Sequence, residues 1–143
     1  MRTSAAFKRQ PPAKMATYLL DTTVIIDALN EKRGRRQMLR ELVLQGHVLA
    51  CSPINVAEVY AGMRPREEQT TMDLLRSLQY YPITFDVAEL GGRLKREHSR
   101  RGTTLSVTDT LIAAIARHYR LILITDNVRD FPMKELSLFA RPN

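Results

Sequence analysis

Short apolar runs typical of strands alternate with helical segments through most of this 143-residue chain. The pattern predicts strands at residues 18–20, 48–51, 83–85 and 121–125, with a short final strand around 136–139. It predicts helices at residues 22–29, 35–45, 54–63, 66–79, 87–101 and 106–120. Such an alternation favours an α/β fold in which helices cover a mainly parallel central sheet.

Local signals predict where several of these elements begin and end. Ser52-Pro53 supplies a helix N-cap followed by proline at the first helical position, and Ser106 caps the segment "SVTDTLIAAIARHYR". Gly46 is suited to end the helix before it. The β-rich apolar run "LILIT", which starts at Leu121, indicates a strand buried on both faces.

Composition excludes several classes of protein. Cys51 is the only cysteine, so an intrachain disulfide and a cysteine-based zinc site are excluded, which fits a reducing, cytoplasmic location. All apolar stretches are far shorter than the roughly 18 residues that a membrane span requires. Because 22 Lys and Arg outnumber 15 Asp and Glu, the net charge of +7 favours a polyanionic partner.

The first 16 residues differ from the remainder of the chain. They contain Arg2, Lys8, Arg9 and Lys14 with no acid, and they lack the continuous apolar segment of a secretory signal. We therefore predict a basic, flexible extension over residues 1–16. Residues 17–143 contain no linker or repeat, so they are predicted to form one domain.

Acidic residues recur where a strand has just ended or where an apolar helical segment predicts buried surroundings. These residues are Asp21, Glu58, Asp109, Asp126 and Asp130. Asp21 follows the first strand and Asp126 follows "LILIT", and the carboxyl ends of parallel strands meet at one edge of a sheet. Glu58 has no basic residue within four positions, so its partner must come from elsewhere in the fold.

Most of these acids also have a purely structural interpretation. Asp21 can cap the following helix, Asp109 can complete a capping box with Ser106, and Asp126 can be a turn residue. Neither a cap nor a turn explains Glu58, which lies inside its helix. Two carboxylates ~4 Å apart repel by roughly 4 kcal/mol at an effective dielectric of about 20, so a converging set would need a divalent cation.

Oxygen ligands without a cysteine or a histidine pair select Mg²⁺ or Mn²⁺ rather than zinc. The three histidines, His47, His98 and His118, are separated in sequence and are not predicted to bind metal. Carboxylates that hold Mg²⁺ suit phosphodiester hydrolysis, because the metal activates water and stabilises charge on the phosphate.

Four motifs together resemble those of a known family. "LLDTTVIIDAL", "SPINVAEVYAGM", "LSVTDTLIAAIAR" and "LILITDNVRDF" are similar, in this order, to the motifs of PIN-domain ribonucleases, in particular the VapC toxins of bacterial toxin–antitoxin pairs. The resemblance covers nearly the whole chain from Met15. It implies a PIN-like three-layer sandwich, Mg²⁺- or Mn²⁺-dependent endoribonuclease activity, and inhibition by a cognate VapB-type antitoxin that also binds DNA.

The resemblance also implies roles for single residues. Asp21, Glu58 and Asp109 correspond to the first three acids of the family. The family's T-x-N-x-x-D/E-F pattern is matched by Thr125, Asn127, Asp130 and Phe131, which favours Asp130 as the fourth acid. Asp126 stands where other PIN proteins carry an acid directly after the strand, so both stay open. Supporting hydrogen bonds are expected from Thr22, Thr125 and Asn127.

The same resemblance implies partners. RNA phosphates would contact the basic helix through Arg93, Lys95, Arg96, Arg100 and Arg101. Single-stranded or looped RNA is the favoured target, because the base edges of A-form duplex lie in a narrow groove. Family behaviour also suggests a homodimer, and an antitoxin segment that places a basic side chain among the acids.

Two alternatives compete with the nuclease hypothesis. The first is a non-catalytic PIN-like module that binds nucleic acid or protein and uses the acids only for structure. The second is a phosphoacceptor receiver domain, which is disfavoured because "LILITDNVRDF" lacks the lysine that such a domain needs after a late strand.

Overall fold

A computed structural model describes residues 15–139. Its sheet has five strands in the order β3-β2-β1-β4-β5, and all four pairings are parallel. The strands are β1 (Thr17–Leu20), β2 (Val48–Cys51), β3 (Gln79–Tyr80), β4 (Ile122–Ile124) and β5 (Ser137–Phe139). The basic extension predicted for residues 1–16 lies outside the described residues except for Met15 and Ala16, and stays a prediction.

Six α-helices flank this sheet within residues 15–139. They are α1 (Thr22–Leu29), α2 (Arg35–Leu44), α3 (Pro53–Gly62), α4 (Glu68–Ser77), α5 (Phe85–Arg100) and α6 (Val107–His118). The predicted caps are confirmed, because the Ser52 hydroxyl accepts from the Asn55 N–H and the Ser106 hydroxyl accepts from the Asp109 N–H.

The core lies in two layers, one on each face of the sheet. Leu19 of β1 belongs to the cluster formed with α5 and α6, whereas the next residue, Leu20, belongs to the cluster formed with α1–α4. This division follows from the strand geometry, in which successive side chains point to opposite faces. The predicted three-layer α/β sandwich with a parallel sheet is therefore confirmed. Over residues 15–139, helices that could cross a membrane are absent.

The predicted third strand at residues 83–85 is wrong. The third strand is β3, whose Gln79 and Tyr80 pair with Ala50 and Cys51 of β2. The Thr84 hydroxyl instead accepts from the Val87 N–H and caps α5, so that residue 85 begins a helix. The helix predicted at 66–79 is also shorter, because α4 ends at Ser77 and releases the chain into β3.

Candidate active site

Asp21 is the most enclosed acid of the predicted site. It follows β1 at the centre of the sheet, its N–H donates to the Ile124 carbonyl of β4, and it caps α1. The residue is only 7% exposed. Its Oδ1 accepts from the Thr22 N–H at 2.8 Å and its Oδ2 accepts from the Thr125 hydroxyl at 2.6 Å. Both carboxylate oxygens are therefore oriented by neighbouring donors.

A chain of hydrogen bonds connects Glu58 to the same position. The Thr22 hydroxyl donates to Glu58 Oε1 at 2.5 Å and accepts from Asn55 Nδ2 at 3.1 Å. Asn55 is fully buried, and its Oδ1 accepts from both the N–H and the hydroxyl of Ser52 at 2.9 Å. Glu58 is exposed, contrary to the expectation of buried surroundings. It therefore stands at the rim of the site, held at one oxygen.

Asp109 and Asp130 complete the arrangement from the other half of the sheet. Asp109 is half-buried in the first turn of α6. Asp130 ends the short 3₁₀ helix Val128–Asp130 that follows β4, and its N–H donates to the Asn127 carbonyl at 2.9 Å. Asn127 supports the site through its backbone N–H, which donates to the Thr125 hydroxyl at 2.9 Å.

Electrostatics joins these four acids, here named the acidic cluster: Asp21, Glu58, Asp109 and Asp130. Burial is the main cause that raises the pKa of Asp21, and the charges of Glu58 and Asp130 raise it further. The hydrogen bonds from Thr125 and Thr22 oppose the rise. Burial also raises the pKa of Asp109, with added repulsion from the other three acids and an opposing hydrogen bond from Ser106. Over residues 15–139, members of the cluster make no salt bridge, so no cationic side chain of the described residues offsets their mutual repulsion.

Asp126 has different surroundings from the acidic cluster. Its carboxylate accepts a hydrogen bond from Arg35 Nη2, and Arg33 Nη1 lies 3.7 Å from its second oxygen. The two acids that the sequence left open after β4 are thus separated: Asp130 acts electrostatically on Asp21 and Asp109, whereas Asp126 is neutralised by arginines of the same chain.

Arg35 is the residue that the sequence analysis missed. The basic run from Lys32 to Arg40 is typical of a solvated helix face, yet the Arg35 side chain is 0% exposed. One signal points to its burial: Leu39 and Leu42, four and seven positions further along, share its face of α2 and are also buried.

The donor set of the acidic cluster fits a hard divalent cation. Carboxylate oxygens that repel one another and have no basic partner within the described residues are the ligands that Mg²⁺ and Mn²⁺ prefer. Among residues 15–139, no group of three or more His, Cys, Asp or Glu side chains is positioned to hold a metal ion. Glu58 and Asp130 are exposed, whereas Asp21 is buried and Asp109 is half-buried, so the acidic cluster opens to solvent at Glu58 and Asp130.

The predicted RNA contacts on α5 fall into two groups. Lys95 Nζ donates to the Leu105 carbonyl and Arg93 pairs with Glu89 at 3.2 Å, so both side chains already have partners within the protein. Arg96, Arg100 and Arg101 are exposed near the end of the helix that leads towards α6 and Asp109.

Known proteins match this chain over most of its length. A family profile described as PIN domain matches residues 18–134. Ribonuclease VapC19 of Mycobacterium tuberculosis is 34% identical over 115 residues, which cover 80% of this chain and 92% of that protein. Ribonuclease VapC10 of the same organism is 35% identical over 117 residues, which cover 82% of this chain and 87% of that protein.

A solved structure gives the same result for the fold. The crystal structure of VapBC2 from Rickettsia felis, bound to a DNA fragment from their promoter, contains a chain that is 26% identical, with a TM-score of 0.76. The match covers 88% of this chain and 99% of that chain. Since the profile and both ribonuclease relatives span most of the sequence, this protein belongs to the PIN-domain family and, within it, to the VapC type.

Proposed function

We propose that this protein is the toxin of a VapBC-type toxin–antitoxin module, an endoribonuclease that hydrolyses RNA phosphodiester bonds with Mg²⁺ or Mn²⁺. The acidic cluster at the carboxyl edge of the parallel sheet carries this proposal. Its charges repel one another without a basic partner in the described residues, and a bound dication would remove that repulsion.

Each residue of the site has a distinct part in this chemistry. Asp21 and Asp109 would hold the cation, with Glu58 and Asp130 completing its ligands. When bound, the cation supplies a more acidic water for in-line attack and charge stabilisation on the phosphate. The Thr125 and Thr22 donors keep both oxygens of Asp21 in a fixed direction, and the Thr22 hydroxyl holds Glu58.

The substrate is proposed to be single-stranded or looped RNA. Such RNA exposes base edges that an A-form duplex conceals, and its backbone charge suits a chain of net charge +7. Arg96, Arg100 and Arg101 would contact phosphates next to the cleaved bond, since α5 leads into the loop before Asp109. Arg93 and Lys95 would add to the positive field while keeping their intramolecular contacts.

The proposed regulator is a cognate VapB-type antitoxin that inhibits the toxin and connects it to operator DNA. The similarity to a DNA-bound VapBC2 chain supports this partner. A basic side chain of the antitoxin among the four acids would replace the charge of the cation. We expect Mg²⁺ to weaken antitoxin binding, and an affinity independent of Mg²⁺ would exclude direct competition.

The decisive experiment is cleavage of a broad RNA panel by the wild-type chain with Mg²⁺, Mn²⁺ or EDTA. Asp21→Asn and Asp109→Asn should each abolish cleavage and growth inhibition while circular dichroism shows a folded protein. Asp73→Asn, an exposed acid on α4, is the matched control and should keep wild-type activity.

Three outcomes count against the proposal. Full cleavage by Asp21→Asn or Asp109→Asn would remove the acids from the reaction. Cleavage that persists in EDTA would remove the metal. RNA binding without any metal-dependent cleavage would favour a non-catalytic PIN module. If the proposal holds, mapping RNAs cut after controlled expression, with Asp21→Asn as background, identifies the cleavage site.

A further inference from the structure

Asp126 forms an ion pair with the buried side chain of Arg35, next to the acidic cluster. The two residues are 91 positions apart in sequence, so the pair joins the start of α2 to the segment that follows β4. The Arg35 side chain is 0% exposed and the Asp126 side chain is 23% exposed.

The loop that delivers Arg35 adopts an unfavourable backbone. Glu31, Arg33 and Gly34 have φ angles of 55°, 58° and 64°. These angles lie in the left-handed region, which residues other than glycine rarely adopt. The loop brings Arg33 and Arg35 to the two oxygens of Asp126. Such backbone geometry persists only where the surrounding structure holds it, and it concentrates at functional sites.

The position of Asp126 in the chain makes this pair relevant to the site. Thr125, the preceding residue, donates to Asp21 Oδ2 at 2.6 Å, and the N–H of the following residue, Asn127, donates to the Thr125 hydroxyl at 2.9 Å. Asn127 in turn accepts from the Asp130 N–H. A side chain that anchors residue 126 therefore fixes both Thr125 and the turn that carries Asp130.

We infer that Arg35 is a positioning residue which, through Asp126, holds Thr125 and Asp130 in place for cation binding, and that Asp126 is not itself a ligand. This inference rests on the proposed function, because it concerns the same cation. It assigns different tasks to two acids four positions apart: Asp130 faces the cluster, and Asp126 anchors the loop.

The test is an equilibrium titration of the full chain with Mn²⁺, in which the electron paramagnetic resonance signal of free Mn²⁺ reports how much of the ion is bound. Arg35→Met and Asp126→Asn should each weaken Mn²⁺ binding by about 10-fold to 100-fold, as residues that orient metal ligands do. The double variant should bind no more weakly than either single variant, because both act through one contact. Arg36→Met, the exposed neighbour on α2, should bind as the wild type does.

RNA cleavage supplies an independent readout. Raising the Mg²⁺ concentration should restore cleavage in Arg35→Met and Asp126→Asn, since their ligands remain, but not in Asp21→Asn. If either single variant does not fold, the Arg35→Met/Asp126→Ala variant leaves neither partner of the ion pair without its counter-charge and allows the same measurement; wild-type affinity in that folded variant overturns the inference.

Other results separate the possible failures. Unchanged Mn²⁺ affinity in folded Arg35→Met and Asp126→Asn overturns the inference and leaves the proposed function intact. Weaker binding by Asp126→Asn together with equal or tighter binding by Arg35→Met would make Asp126 a ligand that Arg35 competes for, which also overturns it. If the wild-type chain binds no Mn²⁺, the proposed function fails and the inference fails with it.

Discussion

Removal of the Asp126 carboxylate should destabilise the fold more than a half-exposed surface acid normally would. Arg35 is fully buried, its Nη1 contacts the Met38 sulfur at 3.1 Å, and its Nε has no partner within residues 15–139. Sulfur is a weak acceptor, so Asp126 is the principal group that compensates the buried guanidinium. In Asp126→Ala this cation would stay buried without a counter-charge.

The magnitude follows from that geometry. Loss of one partner of a buried ion pair costs about 3–5 kcal/mol, and the partial exposure of Asp126 places this case near the lower limit. For a domain of this size, ~3 kcal/mol corresponds to a fall in Tm of roughly 6–12 °C. Arg35→Met/Asp126→Ala should recover most of the loss, because apolar side chains at this site are less costly to bury than an unpaired charge.

Urea denaturation followed by circular dichroism measures both variants against the wild type. The free energy of unfolding of Asp126→Ala should fall by about 3 kcal/mol, and that of the double variant by about 1 kcal/mol. A single variant within about 1 kcal/mol of the wild type would refute the reasoning, because Arg35 would then have another source of compensation. If Arg35→Met/Asp126→Ala were as unstable as Asp126→Ala, the buried charge of Arg35 would not be the cause of the lost stability.

Three further predictions concern the acids and the packing around them. The folded state raises the pKa values of Asp21 and Asp109 above 3.8, so the stability that their protonated forms contribute is fully present below pH 3.8 and is lost as the pH rises through the raised values. Urea titrations of the metal-free chain from pH 4 to 7 should show this fall in the free energy of unfolding. Added Mg²⁺ should reverse the fall at pH 7. A metal-free protein equally stable across that range would contradict it. Thr125→Val should cost about 1–3 kcal/mol and weaken Mn²⁺ binding, since Asp21 loses its 2.6 Å donor; unchanged binding would argue against that role. Gly91→Val should cost about 1–3 kcal/mol, because a Cβ there lies 2.8 Å from the Leu111 side chain, whereas Gly92→Val meets open space and is the control; equal losses in both variants would rule out the clash.

The sequence by itself determined most of the elements and the principal acids. Apolar periodicity and the Ser52 and Ser106 caps are local signals, and the helices they predict begin where expected to within a residue. Asp21 was identified by a local feature as well, an acid directly after a buried strand. The strand at 83–85 was mispredicted because Thr84 is as good a helix cap as a strand residue, and only the pairing partner of β2 distinguishes the two.

Only the tertiary structure decided how the acids are used. Whether a carboxylate repels its neighbours or is neutralised depends on partners far away in sequence: Arg35 reaches Asp126 across 91 positions, and Thr125 reaches Asp21 across 104. Residues 126 and 130 are both acids after the same strand; the family pattern favoured Asp130, but the sequence left both open. Packing of α2 buried Arg35 beside one of them, and a buried charge must be compensated, so the fold assigned Asp126 to Arg35 and left Asp130 to the acidic cluster.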